Sequence, residues 1–284
     1  MSAVLWNVRS SSTGRQLIMF PFLGGFGASY NRLAHELTGD WDVWTVNPPG
    51  HGPSTEPPIR RLAEMVGCYL ENLRAVLRPD AVFFGHSMGG VIAYQVLTAM
   101  TGDAAFRERR PTDLVVSAAR APRQLQVAGT ANLPERALLR HLLGFGAIPE
   151  EVAADRSLIE MFLPAFRADY QVLTEAQRQP VVRLDIPTRL ILGERDPQTP
   201  EGTAAAWQDY FDTPIRVHVL PDAEHMFVLT DVEPVDRILS DLTRVTAGYP
   251  AAEHIAVNRN ALSPTTLSPK TLSRNAWSQV AVRP

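Results

Sequence analysis

Apolar positions along the chain come in two rhythms. Short runs rich in β-branched and aromatic residues recur as "RQLIMFPF", "DVWTVNPPG", "AVFFGHS", "DLVVSAA", "PTRLILG" and "IRVHVLP". They are nearly continuous rather than alternating, the pattern of strands covered on both faces. Between them lie stretches with helical spacing: "ASYNRLAHELTG", "RLAEMVGCYLENLRAVL", "GGVIAYQVLTAM", "TAAAWQDYF" and "VEPVDRILSDLTRVT". In the second, Leu62, Met65, Val66, Tyr69, Leu70, Leu73, Val76 and Leu77 share one helix face. The alternation predicts βαβ units and an α/β fold, with a mainly parallel central sheet flanked by helices.

The alternation stops between about Gln124 and Gln179. There "PERALLRHLLGFG" and "PEEVAADRSLIEMFLPAFRADYQVLTEA" read as consecutive short helices with no strand between them, which predicts a helical lid inserted between two sheet strands. From about Gly248 the composition shifts to "NALSPTTLSPKTLSRNAWSQVAVRP", rich in serine, threonine and proline and without apolar period. Residues 1–247 are therefore expected to form one domain, and 248–284 a disordered tail.

Composition narrows the classes. The 284 residues, 45% hydrophobic and 20% charged, suit a soluble protein with one large core. A net charge of -3 argues against a nucleic-acid partner, whose binding face would be strongly basic. The single cysteine, Cys68, cannot close an internal disulfide and reads as a buried structural thiol in a reducing compartment. The segment "MSAVLWNVRSSSTGR" lacks the pattern of a secretory signal and no run reaches membrane-spanning length, so a cytoplasmic protein without a membrane partner is expected. No HExxH or CxxC spacing points to a metal, and "LGGFG" lacks the lysine and threonine of a phosphate-binding loop.

The chemistry sits where one rhythm gives way to the other. Gly85, His86, Ser87, Met88 and Gly89 spell GxSxG directly after a strand and directly before a helix. This is the setting of a nucleophile elbow, a strained turn that lifts a serine hydroxyl above the sheet while flanking glycines let strand and helix pass closely. Ser87 is the candidate nucleophile, and the Met88 N–H, free at a helix start, is a candidate oxyanion donor. A serine needs a base and an orienting acid, which follow in the order Ser, acid, His in such a chain. Of the seven histidines, His225 in "LPDAEHMFV" lies in a loop after the last strand and is the candidate base. Asp196, in the loop closing "PTRLILGERDPQTP", is the candidate acid, with Glu194, Asp222 and Glu224 as nearby rivals. The second oxyanion donor is expected at Leu23, or alternatively Phe22, in "FPFLGGFG".

Together these pieces resemble a known family, the stand-alone type II (editing) thioesterases of polyketide and nonribosomal peptide pathways, within the α/β-hydrolase superfamily. The resemblance spans roughly residues 15–245 and is carried by "FPFLGGFGASYNRLAHEL", "VNPPGHG", "FFGHSMGGVIAYQ", "SAARAP", "IPTRLILGERD" and "AEHMFV". Most specific is the lid phrase "IPEEVAADRSLIEMFLPAFRADYQVLTEA". The chain departs from the family at Leu23, where a small residue is more usual, and at "PPGHG", where an arginine-containing turn is more usual. The resemblance implies hydrolysis of acyl thioesters held on the phosphopantetheine arm of acyl or peptidyl carrier proteins, clearing stalled units from a synthase. It implies no cofactor of the enzyme's own and a carrier protein as partner; a monomer is expected. Rival readings are a chain-releasing thioesterase, a general carboxylesterase, and a non-catalytic ligand-binding protein of the same fold. A releasing domain would normally be fused to a synthase, whereas this chain starts at Met1 with no carrier-protein sequence before it. A non-catalytic relative commonly loses a member of the Ser, Asp, His set, and all three are present here. Within the lid, Leu138, Leu142, Leu143, Ile159, Met161, Phe162 and Phe166 are expected partly to pack and partly to roof an acyl pocket, and Arg136 and Arg140 are candidates to meet an acidic carrier.

Overall fold

The computed structural model describes residues 4–148 and 150–245. Their centre is a seven-stranded sheet: β1 (Leu5–Arg9), β2 (Arg15–Phe20), β3 (Trp41–Val46), β4 (Val82–His86), β5 (Asp113–Ser117), β6 (Thr188–Gly193) and β7 (Arg216–Leu220), in the order β1-β3-β2-β4-β5-β6-β7. All neighbours pair in parallel except β1, which runs antiparallel to β3. Of the six strands read from the sequence, β2 to β6 are covered as the continuous apolar runs predict, whereas β7 lies at the sheet edge with Val217 and Val219 exposed. The seventh, β1, escaped because Asn7 and Arg9 interrupt its apolar residues, so neither an apolar run nor a clean alternation marks it.

Successive side chains of a strand point to opposite faces, and the sheet divides the core accordingly. Ile18, Phe20 and Phe83 belong to one apolar cluster, together with residues of α2 (Leu62–Val76), α3 (Met88–Thr101) and the lid. Leu17, Met19, Val82 and Phe84 belong to the other, beneath α1 (Asn31–Glu36), α8 (Phe227–Thr230) and α9 (Val232–Val245). The short α7 (Thr203–Gln208) places Trp207 in the first cluster.

The lid comprises α4 (Glu135–Leu143), α5 (Glu150–Ala154) and α6 (Arg156–Gln177), between β5 and β6 as the break in alternation predicts. Its last part is not a series of short helices. Asp155 caps α6 by accepting the Ser157 and Leu158 N–H groups, and the helix then runs on through Pro164. An internal proline costs about 3 kcal/mol. Burial of Ile159 and Phe162 before it and of Ala165, Phe166, Tyr170 and Val172 after it offsets that cost. The far end of α6 is fastened to the body, where Glu175 accepts the Leu62 N–H at the start of α2 at 2.8 Å. The expected tail, 248–284, lies outside the described residues.

Candidate active site

β4 ends in a turn too tight for side chains. A Cβ on Gly85 would fall 2.2 Å from the Gly89 carbonyl oxygen, and one on Gly89 would fall 2.0 Å from the Phe20 carbonyl oxygen. Both contacts are with backbone, which cannot move aside, so the glycines are demanded by the approach of β4, α3 and β2. Ser87 sits between them at φ 54, in the left-handed region that a side chain tolerates only when the surroundings impose it. The turn is fastened by the Ser87 N–H donating to the Ser117 carbonyl at 2.7 Å.

Three residues far apart in sequence meet above this turn. His225 Nε2 lies 3.0 Å from Ser87 Oγ, and His225 Nδ1 donates to Asp196 Oδ2 at 2.8 Å. Asp196 and His225 are 5% and 3% exposed, so the carboxylate and imidazole work against each other with little water between. Asp196 is itself oriented, accepting the Gln198 N–H at 2.7 Å and the Thr199 hydroxyl at 3.0 Å. The loop bearing it is fastened to the histidine loop by the Glu194 N–H to the Leu220 carbonyl and the Arg195 N–H to the Ala223 carbonyl.

The rival carboxylates are turned elsewhere. Glu194 accepts the Asp222 N–H, and Asp222 pairs with Arg195 on an exposed part of the loop. Leu23 lies buried in the turn after β2, closed by the Gly25 N–H donating to the Phe22 carbonyl at 2.8 Å. Because a trans peptide sets C=O and N–H on opposite sides, this bond turns the Leu23 N–H outward from the turn. Met88 is the first residue of α3, where a backbone N–H has no acceptor within the helix. Cys68 is half-buried on α2, less enclosed than its apolar setting suggests, and burial pushes its thiol pKa up, away from reactivity. Among the described residues, no group of side chains could hold a metal ion, and no helix is long and apolar enough to cross a membrane.

The model of the thioesterase domain matches residues 15–245. The chain belongs to the thioesterase family. Thioesterase PikA5 of Streptomyces venezuelae is 26% identical over 243 residues, which cover 84% of both chains. The gramicidin S biosynthesis protein GrsT of Aneurinibacillus migulanus is 24% identical over 225 residues, 78% of this chain and 86% of the relative. In structure, the type II thioesterase BorB from the borrelidin biosynthetic cluster aligns with a TM-score of 0.75 at 27% identity, covering 85% of this chain and 98% of that one. The resemblance to type II thioesterases thus holds in sequence and in structure, and the sheet with its inserted lid is that of an α/β-hydrolase.

Three features of this thioesterase's site lay beyond sequence reasoning. His86, next to Ser87 in the chain, faces the His225 carbonyl at 3.0 Å through Nε2, so Nε2 carries the proton and Nδ1 accepts from the Ser117 hydroxyl at 2.9 Å. Burial and the nearby His225 push the His86 pKa well down, which keeps the ring neutral. Phe145, absent from the residues expected to roof the pocket, holds its ring 5.5 Å from that of His225, while Met161 is 52% exposed and turned away. Leu138, Leu142, Ile159, Phe162 and Phe166 are buried, and Leu143 is partly so.

The third feature is a buried pair bridging lid and body. Asp169 of α6 lies with both oxygens 3.1 Å from His51 Nε2, and its Oδ2 accepts the Gly24 N–H at 2.7 Å. His51 Nδ1 faces the Pro49 carbonyl at 3.0 Å, so both ring nitrogens meet acceptors and the ring carries both protons. Burial opposes that charge, but the Asp169 carboxylate outweighs it and the His51 pKa lies above its ordinary value. Each half of the pair stood in a stretch already singled out, "PPGHG" and "LPAFRADY", but nothing in the spacing joined them.

Proposed function

We propose that this thioesterase is an editing enzyme, hydrolysing acyl groups from the phosphopantetheine arm of acyl or peptidyl carrier proteins of a polyketide or nonribosomal peptide synthase. The observation that carries the reading is the Ser87–His225–Asp196 chain, at 3.0 and 2.8 Å, beneath a helical lid. Family membership and likeness to a type II thioesterase support it. In the acylation step, Ser87 Oγ attacks the thioester carbonyl while His225 Nε2 takes its proton. The oxyanion of the tetrahedral intermediate accepts from the Met88 and Leu23 N–H groups. The C–S bond then breaks and the protonated His225 returns the proton to the departing pantetheine sulfur. In deacylation His225 draws a proton from water, whose oxygen attacks the acyl-serine, and the proton passes to Ser87 as the acid leaves. Asp196 holds the imidazole in the tautomer that faces Nε2 to Ser87 and stabilises it when charged. No cofactor takes part, since the pantetheine belongs to the substrate.

The test is to incubate the protein with carrier proteins bearing acetyl, longer acyl and aminoacyl groups and follow release by mass spectrometry. Wild-type protein is expected to free the carrier thiol from several of them, and Ser87→Ala none. Absence of release from every carrier by active wild-type enzyme would refute the reading.

A further inference from the structure

The loop that presents the Leu23 N–H has its conformation set by the lid. Gly24 stands at φ +72, and a Cβ there would lie 2.2 Å from the Phe166 ring of α6, so the lid helix rests directly on this residue. Three residues further along the same helix, Asp169 takes the Gly24 N–H. Asp169 is 2% exposed and shares a small buried space with Phe22, Gly25 and Met88, which brings it beside both segments that supply oxyanion donors. His51, 1% exposed, holds the carboxylate from the other side. A charged group this deep is kept only where its partners hold it, and here those partners are a body histidine and the oxyanion-loop backbone.

We infer that Asp169 is a positioning residue that couples the lid to the oxyanion hole: seated between His51 and the Gly24 N–H, it fixes the peptide next to the Leu23 donor, so the hole is complete only when α6 is docked. The inference rests on the assignment of Leu23 as oxyanion donor made above. Its consequence is that productive chemistry at Ser87 is tied to a lid closed over its acyl group. A displaced donor loop would weaken stabilisation of the oxyanion, which forms only in the transition state, so kcat falls rather than KM rising.

The experiment uses the full chain and an acyl-N-acetylcysteamine thioester, with Ser87→Ala, Asp169→Ala, Asp169→Asn and His51→Gln compared with wild type. Asp169→Ala is expected to lower kcat by about ten- to a hundredfold with KM within about threefold, as misplacement of one oxyanion donor would. Asp169→Asn, which keeps an oxygen for the Gly24 N–H, should recover part of the loss. The Gly24 amide proton should move upfield and exchange faster in Asp169→Ala. A folded Asp169→Ala with wild-type kcat, or one altered only in KM, overturns the inference while an inactive Ser87→Ala leaves the parent reading standing. Turnover by Ser87→Ala would sink the parent reading, and the Gly24 amide would still report whether the loop depends on Asp169. If Asp169→Ala does not fold, Asp169→Asn and His51→Gln decide. A several-fold drop in kcat at unchanged KM sustains the inference, and wild-type kcat in both overturns it.

Discussion

At the scale of single residues, the site rests on a few atoms held at hydrogen-bond distance. Ser87→Ala should abolish thioester release and leave the fold intact; His225→Ala should be about as severe, because nucleophile and base act as a unit. Asp196→Asn is expected to be milder, losing the correct tautomer but keeping a base, and steady-state kinetics of the three variants checks the ranking. If Glu194→Gln or Asp222→Asn did the damage while Asp196→Asn was silent, the acid would be misplaced. Gly89→Ala tests the elbow differently: its methyl would meet the Phe20 carbonyl oxygen at 2.0 Å, and about 3 kcal/mol of stability should be lost, measured by urea unfolding. The proximity of Ser87, Asp196 and His225 was legible because each lies in the turn or loop that follows a strand the local pattern marks. The pairing of His51 with Asp169 was not, since the residues stand 118 apart and only the folded chain brings a body turn under the lid helix.

At the scale of elements, the lid is where structure added most. The missing alternation located it, but its helix runs through Pro164 because burial on both sides outweighs the broken hydrogen bond, and such packing is invisible in a local reading. β1 was missed for a local reason: Asn7 and Arg9 break up its apolar residues, leaving neither a run nor an alternation. The seating of α6 carries a pH dependence. His51 is raised in the folded state above its unfolded value of about 6.5. Its contribution to stability is therefore fully present below about pH 6.5 and lost as pH rises through the folded value. The groups facing the pair are the Pro49 carbonyl, the Gly24 N–H, Tyr69 of α2 and Tyr170 of α6, and burial and the Asp169 charge keep both tyrosine hydroxyls protonated. Thermal unfolding across pH should show the gap between wild type and His51→Gln narrowing on the alkaline side. A gap that widened with pH would contradict the charged pair. Phe145 of the lid meets the His225 ring edge-on at 5.5 Å, which makes it the lid residue by which a role in specificity is tested. Phe145→Ala should reorder chain-length preference among acyl carriers several-fold while changing turnover of a small soluble ester by less than about twofold. An unchanged ranking would make the lid merely structural.

At the scale of the whole molecule, the sheet holds Ser87, Asp196 and His225 beyond the C-terminal ends of its strands with the helical lid inserted between β5 and β6, and the proposed function has an acyl group reach them on a long, thin arm. Arg136 and Arg140 are exposed on α4, free to meet an acidic carrier surface. Charge-reversing both should lower the association rate with acyl carrier protein and its salt dependence, and leave kcat for a small thioester unchanged. The most direct measurement of the central claim compares kcat/KM of wild-type protein for one acyl group in three settings: on a carrier protein, on N-acetylcysteamine and as an oxyester of similar reactivity. The account predicts the highest value on the carrier, the lowest for the oxyester, and none of the three hydrolysed by Ser87→Ala. An oxyester turned over as well as the carrier-bound thioester, or carrier release that survives Ser87→Ala, would contradict it.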